Sequence, residues 1–216
     1  MLIDDLDKPD LGRSREIFYD HRETMTQPNV PIVYTIASPL FYQPEIRDLL
    51  GIPIFLPNVK LHERGQTDLL SDGYHTLRMF VRKRMEPTLI TDDALDAAIR
   101  TIGGIFRELC RVMRSAIGYA KQARRPQPRI EPDDVRKAEA EIRAYYWRFL
   151  SQDDRRILRG IRRYNQYNMP DQVAPLLQSL AAVEYADGEP WCDVHPVLYS
   201  LLDEESSNGN TGNQRS

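Results

Sequence analysis

Two adjacent acidic residues follow a short apolar run at the start of the chain. In the stretch MLIDDLDK, Leu2 and Ile3 are typical of the end of a buried strand, and Asp4 and Asp5 follow directly. A carboxylate at the end of a strand can hold Mg²⁺ through its oxygens or through water, and its neighbour can orient an attacking water. The pattern therefore favours a nucleotide-hydrolysing site. An exposed pair of acids at a strand end, without a function, is the alternative.

The elements that must position these acids alternate between helix and strand. Residues 10–27 are predicted to be helical, and the apolar, β-branched run VPIVYTIA at 30–37 is typical of a strand buried on both faces of a parallel sheet. A helix is expected at 44–51 and a second strand at 52–61, where two prolines restrict the strand to an edge of the sheet or occupy its ends. Such alternation places helices against a parallel sheet.

The chain becomes helical after Gly65. Apolar residues recur at helical spacing from residue 72 onward, in helices that begin near positions 72, 92, 106, 132, 152 and 171. The segments VEY and WCDV, joined by ADGEP, then predict a β-hairpin, because Asp-Gly supplies the positive φ angles that a tight turn needs. Two helices and a hairpin outline a winged-helix domain.

The composition excludes several classes of protein. Charged residues make up 28% of the chain and leave a formal net charge of -3, so no global field favours nucleic acid or anionic lipid. No apolar run approaches the ~18 residues of a membrane span, and no signal-peptide pattern precedes the first aspartates. The two cysteines and four histidines lack the spacing of a zinc site. We expect a cytoplasmic protein.

The order of the segments resembles the C-terminal part of an AAA+ type P-loop ATPase. More narrowly, it is similar to the origin-recognition and STAND-like branches, which carry a winged helix behind a helical lid. The resemblance covers residues 1–202 and identifies LIDD with the Walker B motif. It implies that Asp4 is the Mg²⁺ aspartate and that Asp5 polarises the attacking water. Asp7 and Lys8 extend the DDLDK pattern of STAND-like relatives.

The same resemblance implies roles for residues further along the chain. The segment IVYTIAS matches the sensor 1 strand, so Thr35, or Ser38 as second candidate, would contact the γ-phosphate or its water. The segment GGIFREL matches sensor 2, which makes Arg107 the cation that reaches the nucleotide phosphates. Arg47 lies where some relatives place an arginine finger, and a surface arginine is the alternative there.

The sequence departs from the family at the phosphate-binding loop. No stretch contains GxxxxGK[ST], and Met1 leaves only three positions before the first acid of the Walker B strand. We therefore expect the C-terminal portion of an ATP-driven conformational switch, which is inactive alone and uses ATP and Mg²⁺ only when the missing phosphate-binding loop is supplied. The expected partner is a missing N-terminal ATPase half or a second copy of this chain.

The resemblance implies one fold class and a division of the chain into four parts. The fold class is an α/β remnant of a parallel P-loop NTPase sheet followed by an all-α lid and a winged-helix domain. Residues 1–65 would form the ATPase core, 66–130 the lid, 131–203 the winged helix, and 204–216 a disordered tail low in apolar residues.

A different class of function is a winged-helix adaptor that binds DNA or protein, with an inert α/β remnant. Arginines cluster in the helix that begins near residue 152, but the helix expected to enter a DNA groove has no lysine or arginine. The predicted wing turn also carries Asp187 and Glu189, which phosphates repel. A protein effector is therefore favoured over DNA, and a chain without function is the remaining alternative.

Overall fold

The protein folds into mostly helical structure with two small sheets. The computed structural model describes residues 1–4, 6, 10–43, 45–46, 48, 54–166 and 170–203. The chain forms two compact units, one of residues 1–56 with 167–182 and the other of residues 57–166 with 183–216. The small parallel sheet and the helical remainder agree with the coarse prediction of a short α/β part followed by helices. In the described part, no helix is long and apolar enough to cross a membrane.

The first unit contains a two-stranded parallel sheet and short helices. Its elements are β1 (Leu2–Ile3), α1 (Leu11–Arg15), a π-helical turn (Glu16–Asp20), α2 (Arg22–Thr26), β2 (Val33–Tyr34), a 3-10 turn (Ser38–Tyr42) and, from later in the chain, the helix Pro170–Gln178. The helical prediction for 10–27 is confirmed. Asp10 caps α1 by accepting a hydrogen bond from the backbone N–H of Arg13 at 3.0 Å.

The core of this unit lies against the sheet. Phe18, Leu40 and Ile46 are buried together, and the ring of Tyr34 packs edge-on against Phe18 with 6.0 Å between the centroids. The helical segment that contains Phe18 therefore covers β2, as the α/β pattern requires.

The parallel strands are shorter than predicted. Leu2 pairs with Val33 and Ile3 with Tyr34, so only residues 33–34 of the expected strand 30–37 form a ladder. Pro31 prevents the ladder from extending toward the N-terminal end of β2, because proline has no N–H to donate. The carbonyl oxygen of Pro31 accepts a hydrogen bond from the ammonium group of Met1 at 2.7 Å.

The prediction of a second strand at 52–61 is wrong for the residues that the structure describes, 54–61. Residues 54–61 form neither strand nor helix. Pro57 has no N–H to donate to a neighbouring strand. The backbone groups that follow it bond to segments that are not strands. Val59 N–H donates to the Gly104 carbonyl at 3.1 Å, and the Leu61 carbonyl accepts from Leu70 N–H at 2.8 Å. The predicted helix 44–51 lies largely outside the described residues, although 45, 46 and 48 are helical.

Among the described residues, the second unit contains five helices of ten residues or more, a short helical segment at 199–203 and most of a hairpin. The helices are α3 (Ser71–Arg82), α4 (Asp92–Thr101), α5 (Phe106–Gln122), α6 (Pro132–Phe149) and α7 (Gln152–Tyr164). The helix Pro170–Gln178 is numbered α8. Local chemistry explains their starts: Thr91 caps α4, Pro132 occupies the first turn of α6, and Ser151 forms a capping box with Asp154.

The hairpin prediction is confirmed. Strands β3 (Ala182–Asp187) and β4 (Glu189–Val194) meet at Gly188, whose φ is 78°. Tyr185 and Trp191 stack with 4.5 Å between their ring centroids, so they belong to the hairpin core. Helix α8 belongs to the first unit and α7 to the second, and the winged-helix assignment and the domain boundaries at 65 and 130 stay predictions.

Candidate functional site

The carboxyl ends of β1 and β2 bring Asp4 and Thr35 into contact. The Thr35 hydroxyl donates a hydrogen bond to Asp4 Oδ1 at 2.7 Å. The cause is the register of the sheet: Ile3 pairs with Tyr34, and Thr35 N–H donates to the Ile3 carbonyl at 3.1 Å. Because the strands are parallel, the residues that follow them meet at one edge.

This pair supplies hard oxygen donors at a solvent-accessible edge. Asp4 is exposed and Thr35 is partly buried. Mg²⁺ is usually held by one or two carboxylates together with waters and substrate phosphates, so the pair fits part of such a site. No group of three or more metal-ligating side chains occurs within the described ranges. The remaining ligands would therefore come from water and a bound phosphate.

The other predicted site residues are distributed differently. Asp5, Asp7, Lys8 and Arg47 lie outside the described residues. Ser38 begins the 3-10 turn after β2, and Arg107 is exposed in the first turn of α5, in the second unit. The structure thus brings Asp4 and Thr35 together and places Arg107 in a different unit.

The glycine pair before α5 is fixed by three neighbouring segments. A Cβ on Gly104, whose φ is 83°, would lie 1.8 Å from the Val59 carbonyl oxygen. A Cβ on Gly103 would lie 3.0 Å from Pro196 Cδ, and the Tyr185 hydroxyl donates to the Gly103 carbonyl at 2.6 Å. The start of α5 is therefore held in place by packing that only glycine permits.

A contact that the sequence patterns did not reveal joins the partly buried His62 to the buried Asp193. His62 Nε2 lies 3.3 Å from Asp193 Oδ2, and His62 Nδ1 lies 3.0 Å from the Glu63 carbonyl oxygen. The Tyr199 hydroxyl donates to the same Asp193 oxygen at 2.8 Å. The hydrogen bond to Asp193 is the main cause that raises the pKa of His62. Both ring nitrogens face oxygen acceptors, so the site favours the imidazolium ion.

A second buried pair, Glu108 and His195, has the opposite electrostatics. His195 Nδ1 accepts from Val197 N–H at 3.3 Å, which places the ring proton on Nε2, 3.8 Å from Glu108 Oε2. Burial, aided by the charge of Arg111, lowers the pKa of His195 to about 3. Burial also raises the pKa of Glu108. Burial therefore favours the neutral form of His195, whereas Arg111 Nη1 lies 3.5 Å from Glu108 Oε2 and opposes the effect of burial on that carboxyl. No spacing in the sequence could have indicated this pair.

Comparison with known proteins adds no family to this geometry. No protein-family model and no curated protein matches the chain.

Proposed function

We propose that this chain is the C-terminal portion of an ATP-binding AAA+- or STAND-like P-loop NTPase that acts as an ATP-driven conformational switch. The observation that carries the proposal is the 2.7 Å hydrogen bond between Thr35 and Asp4 at the edge of a parallel sheet. An acid that holds Mg²⁺ and a hydroxyl that senses the γ-phosphate act on the same phosphate, so they must lie within a few ångströms of each other. The ends of β1 and β2 meet that requirement.

Each residue has a distinct task in this proposal. Asp4 holds Mg²⁺, which neutralises charge on the phosphate oxygens. The Thr35 hydroxyl orients the Asp4 carboxylate and can turn its proton toward a phosphate oxygen. Asp5 polarises the attacking water, and Arg107 neutralises phosphate charge. A cation near the N-terminus of a helix is disfavoured by the helix dipole, so Arg107 benefits from an anionic partner.

The proposal includes a requirement for a partner. The sequence contains no GxxxxGK[ST] loop, so the phosphate-binding amides and lysine must come from another polypeptide segment, and the chain alone hydrolyses no ATP. The proposed setting is the cytoplasm, with a protein effector responding to the switch.

Paramagnetic relaxation tests the metal site in the chain once the polypeptide that supplies the phosphate-binding loop is bound. Millimolar Mn²⁺ with ATP should broaden the amide signals of Ile3, Asp4 and Thr35 in an NMR spectrum, and Mg²⁺ should reverse the broadening. Asp4→Asn should remove the effect. The matched control, Asp20→Asn, changes another exposed acid of the same unit and should leave it intact. Equal broadening in Asp4→Asn, or none in the wild type, would overturn the proposal.

Hydrolysis is tested by supplying the phosphate-binding loop. The DNA upstream of the Met1 codon is translated in frame, and polypeptides that co-purify with the chain are sequenced, to find GxxxxGK[ST]. The longer or reconstituted protein should hydrolyse ATP, and Asp4→Asn should lower kcat by at least about a hundredfold, since a direct metal ligand is lost. An active assembly that is insensitive to Asp4→Asn, or the absence of any such loop, contradicts the proposal.

A protein-interaction or DNA-binding adaptor is the second candidate function. The β3–β4 hairpin after α7 and α8 favours it, because two helices and a hairpin are the parts of a winged helix. The sequence PDQVAPLLQ of α8 contains no lysine or arginine, which favours a protein partner over groove reading. Salt-dependent retention of duplex DNA by the chain through α8 would support the DNA-binding form.

A further inference from the structure

Basic side chains lie along the exposed side of helix α5. At 3.6 residues per turn, four of them fall within an arc of ~80° around the helix axis, and we call Arg107, Arg111, Arg114 and Lys121 the basic row. Glu108 is the only acid of α5, and it lies outside this arc, with its side chain 5% exposed and in contact with Arg111 at 3.5 Å. The whole chain has a net charge of -3, so the positive charge is a local property of this side of α5.

Two pairs of aromatic rings flank the basic row. Tyr145 and Phe149, near the end of α6, pack with 5.1 Å between their ring centroids and are 51% and 43% exposed. Phe80 of α3 and Phe106 of α5 pack with 4.7 Å between centroids, and Phe106 is 39% exposed. Phe106 and Arg111 lie on opposite sides of the basic row, and the guanidinium carbon of Arg111 lies 4.7 Å from the ring centroid of Tyr145. We call the continuous set formed by Phe80, Phe106, Arg111, Arg114, Tyr145 and Phe149 the aromatic–arginine surface.

The geometry of the rings favours an apolar side chain over a nucleic-acid base as their ligand. Within each pair the ring planes are inclined, by 58° and 68°, so the two rings present no common flat surface. A guanidinium group also covers one face of a ring in each pair, since Arg84 lies 3.8 Å from the centroid of Phe80 and Arg111 lies over Tyr145. A base stacks on a free ring face, whereas apolar side chains also pack against ring edges. The same contacts hold the guanidinium groups in place, which lowers the entropy lost when a carboxylate binds them.

We propose that the aromatic–arginine surface docks an acidic segment of a protein partner. Apolar side chains of the segment pack against the ring pairs, and its carboxylates bind Arg111 and Arg114. Aromatic residues and arginine are the types enriched at the centres of protein interfaces, and the basic row selects an acidic partner by charge complementarity. Glu141 of α6 also approaches α5, but it accepts a hydrogen bond from Tyr119, which lies ~80° outside the arc of the basic row. The proposal concerns the second unit and does not depend on the nucleotide site at Asp4.

Selection of peptides on the full chain tests this proposal. A library of random peptides displayed on phage is selected on the immobilised protein, and the double variant Arg114→Glu, Tyr145→Ala is used to remove peptides that bind elsewhere. The enriched peptides should be rich in aspartate and glutamate and should contain leucine or an aromatic residue. Fluorescein-labelled synthetic copies should bind saturably in an anisotropy titration. Raising NaCl from about 50 to about 500 mM should weaken binding severalfold, because salt screens exposed charges.

Charge-matched variants locate the binding site of the selected peptides. Arg114→Glu should weaken binding about tenfold, and Tyr145→Ala about fivefold. The control Arg136→Glu makes the same change in net charge at a side chain that is 73% exposed, ~180° around α6 from Tyr145, and should leave affinity unchanged. Arg107 is kept in every variant, because a contact with nucleotide is proposed for it. Circular dichroism spectra of the variants should overlay, because the altered side chains are exposed.

Four outcomes overturn the proposal. They are no enrichment of any peptide, enriched peptides that bind Arg114→Glu as tightly as the wild type, tighter binding of an oligothymidylate than of the peptides, and tighter binding of phosphatidylserine vesicles than of the peptides. The third outcome would assign the aromatic–arginine surface to nucleic acid. The fourth would assign it to an anionic membrane.

Discussion

Thr35 and Asp4 are joined side chain to side chain across two parallel strands that each contain two residues. A double-mutant cycle measures this link. Asp4→Ala and Thr35→Val should each destabilise the protein, and the pair should show a coupling free energy of about 1 kcal/mol, since a hydrogen bond to a charged but exposed group contributes modestly. Urea unfolding of the four proteins checks the value. Additive effects would show that the hydrogen bond contributes nothing to the fold.

Features governed by local chemistry were predictable from the sequence. Thr91, Pro132 and Ser151 mark helix starts through capping and a fixed φ angle, and Gly188 sits at the tip of the hairpin. Each depends on residues within one turn of itself. That is why these predictions agree with the structure to within a residue or two.

Features governed by distant contacts were not predictable. The expected strand at 52–61 fails because Val59 bonds to Gly104, a partner far along the chain. The pairs His62–Asp193 and Glu108–His195 likewise join segments with no common pattern. Asp4 and Thr35 were found only through the order of segments, because an acid or a threonine at a strand end carries little information by itself.

Stability should decrease with rising pH through the titration of His62. Its pKa is raised in the folded protein above the ordinary 6.5, so its contribution is complete below pH 6.5 and is lost as pH rises through the folded-state value. Burial raises the pKa of Glu184 to about 7, which also makes stability fall with rising pH, between its ordinary value of 4.5 and 7. The difference between wild type and variant therefore isolates His62.

The variant His62→Gln provides that comparison. Its destabilisation should be largest near pH 6 and shrink toward pH 9, as measured by urea unfolding across the range. His75→Gln replaces an exposed histidine on α3 and should show no such trend. A destabilisation of His62→Gln that stays constant with pH would mean that His62 contributes through packing alone.

Acid should destabilise the protein through His195. Its pKa of about 3 lies below the ordinary 6.5, so the folded state excludes a proton that the unfolded state accepts. The contribution is complete above pH 6.5 and is lost as pH falls toward 3, with a maximal slope of about 1.4 kcal/mol per pH unit. His195→Asn keeps an acceptor for Val197 N–H and removes the titration. Its unfolding free energy should fall less steeply than that of the wild type between pH 6 and 4, and parallel curves would contradict the assignment.

Alanine at Gly104 should strongly destabilise the second unit, whereas alanine at Gly118 should not. At Gly104 a Cβ would lie 1.8 Å from the Val59 carbonyl oxygen, and φ is 83°, so clash and backbone strain together should cost about 3 kcal/mol or more. Gly118 lies inside α5, and apart from the nearby backbone of the helix itself no atom would lie within 4 Å of the added Cβ. Gly118→Ala should therefore raise stability by about 0.5–1 kcal/mol, because alanine restricts the unfolded chain and favours helix. Thermal unfolding of both variants measures these changes in stability.

A tolerated Gly104→Ala would mean that residues 57–61 can move away from the start of α5. Arg107 would then lack the fixed position that its proposed contact with phosphate requires.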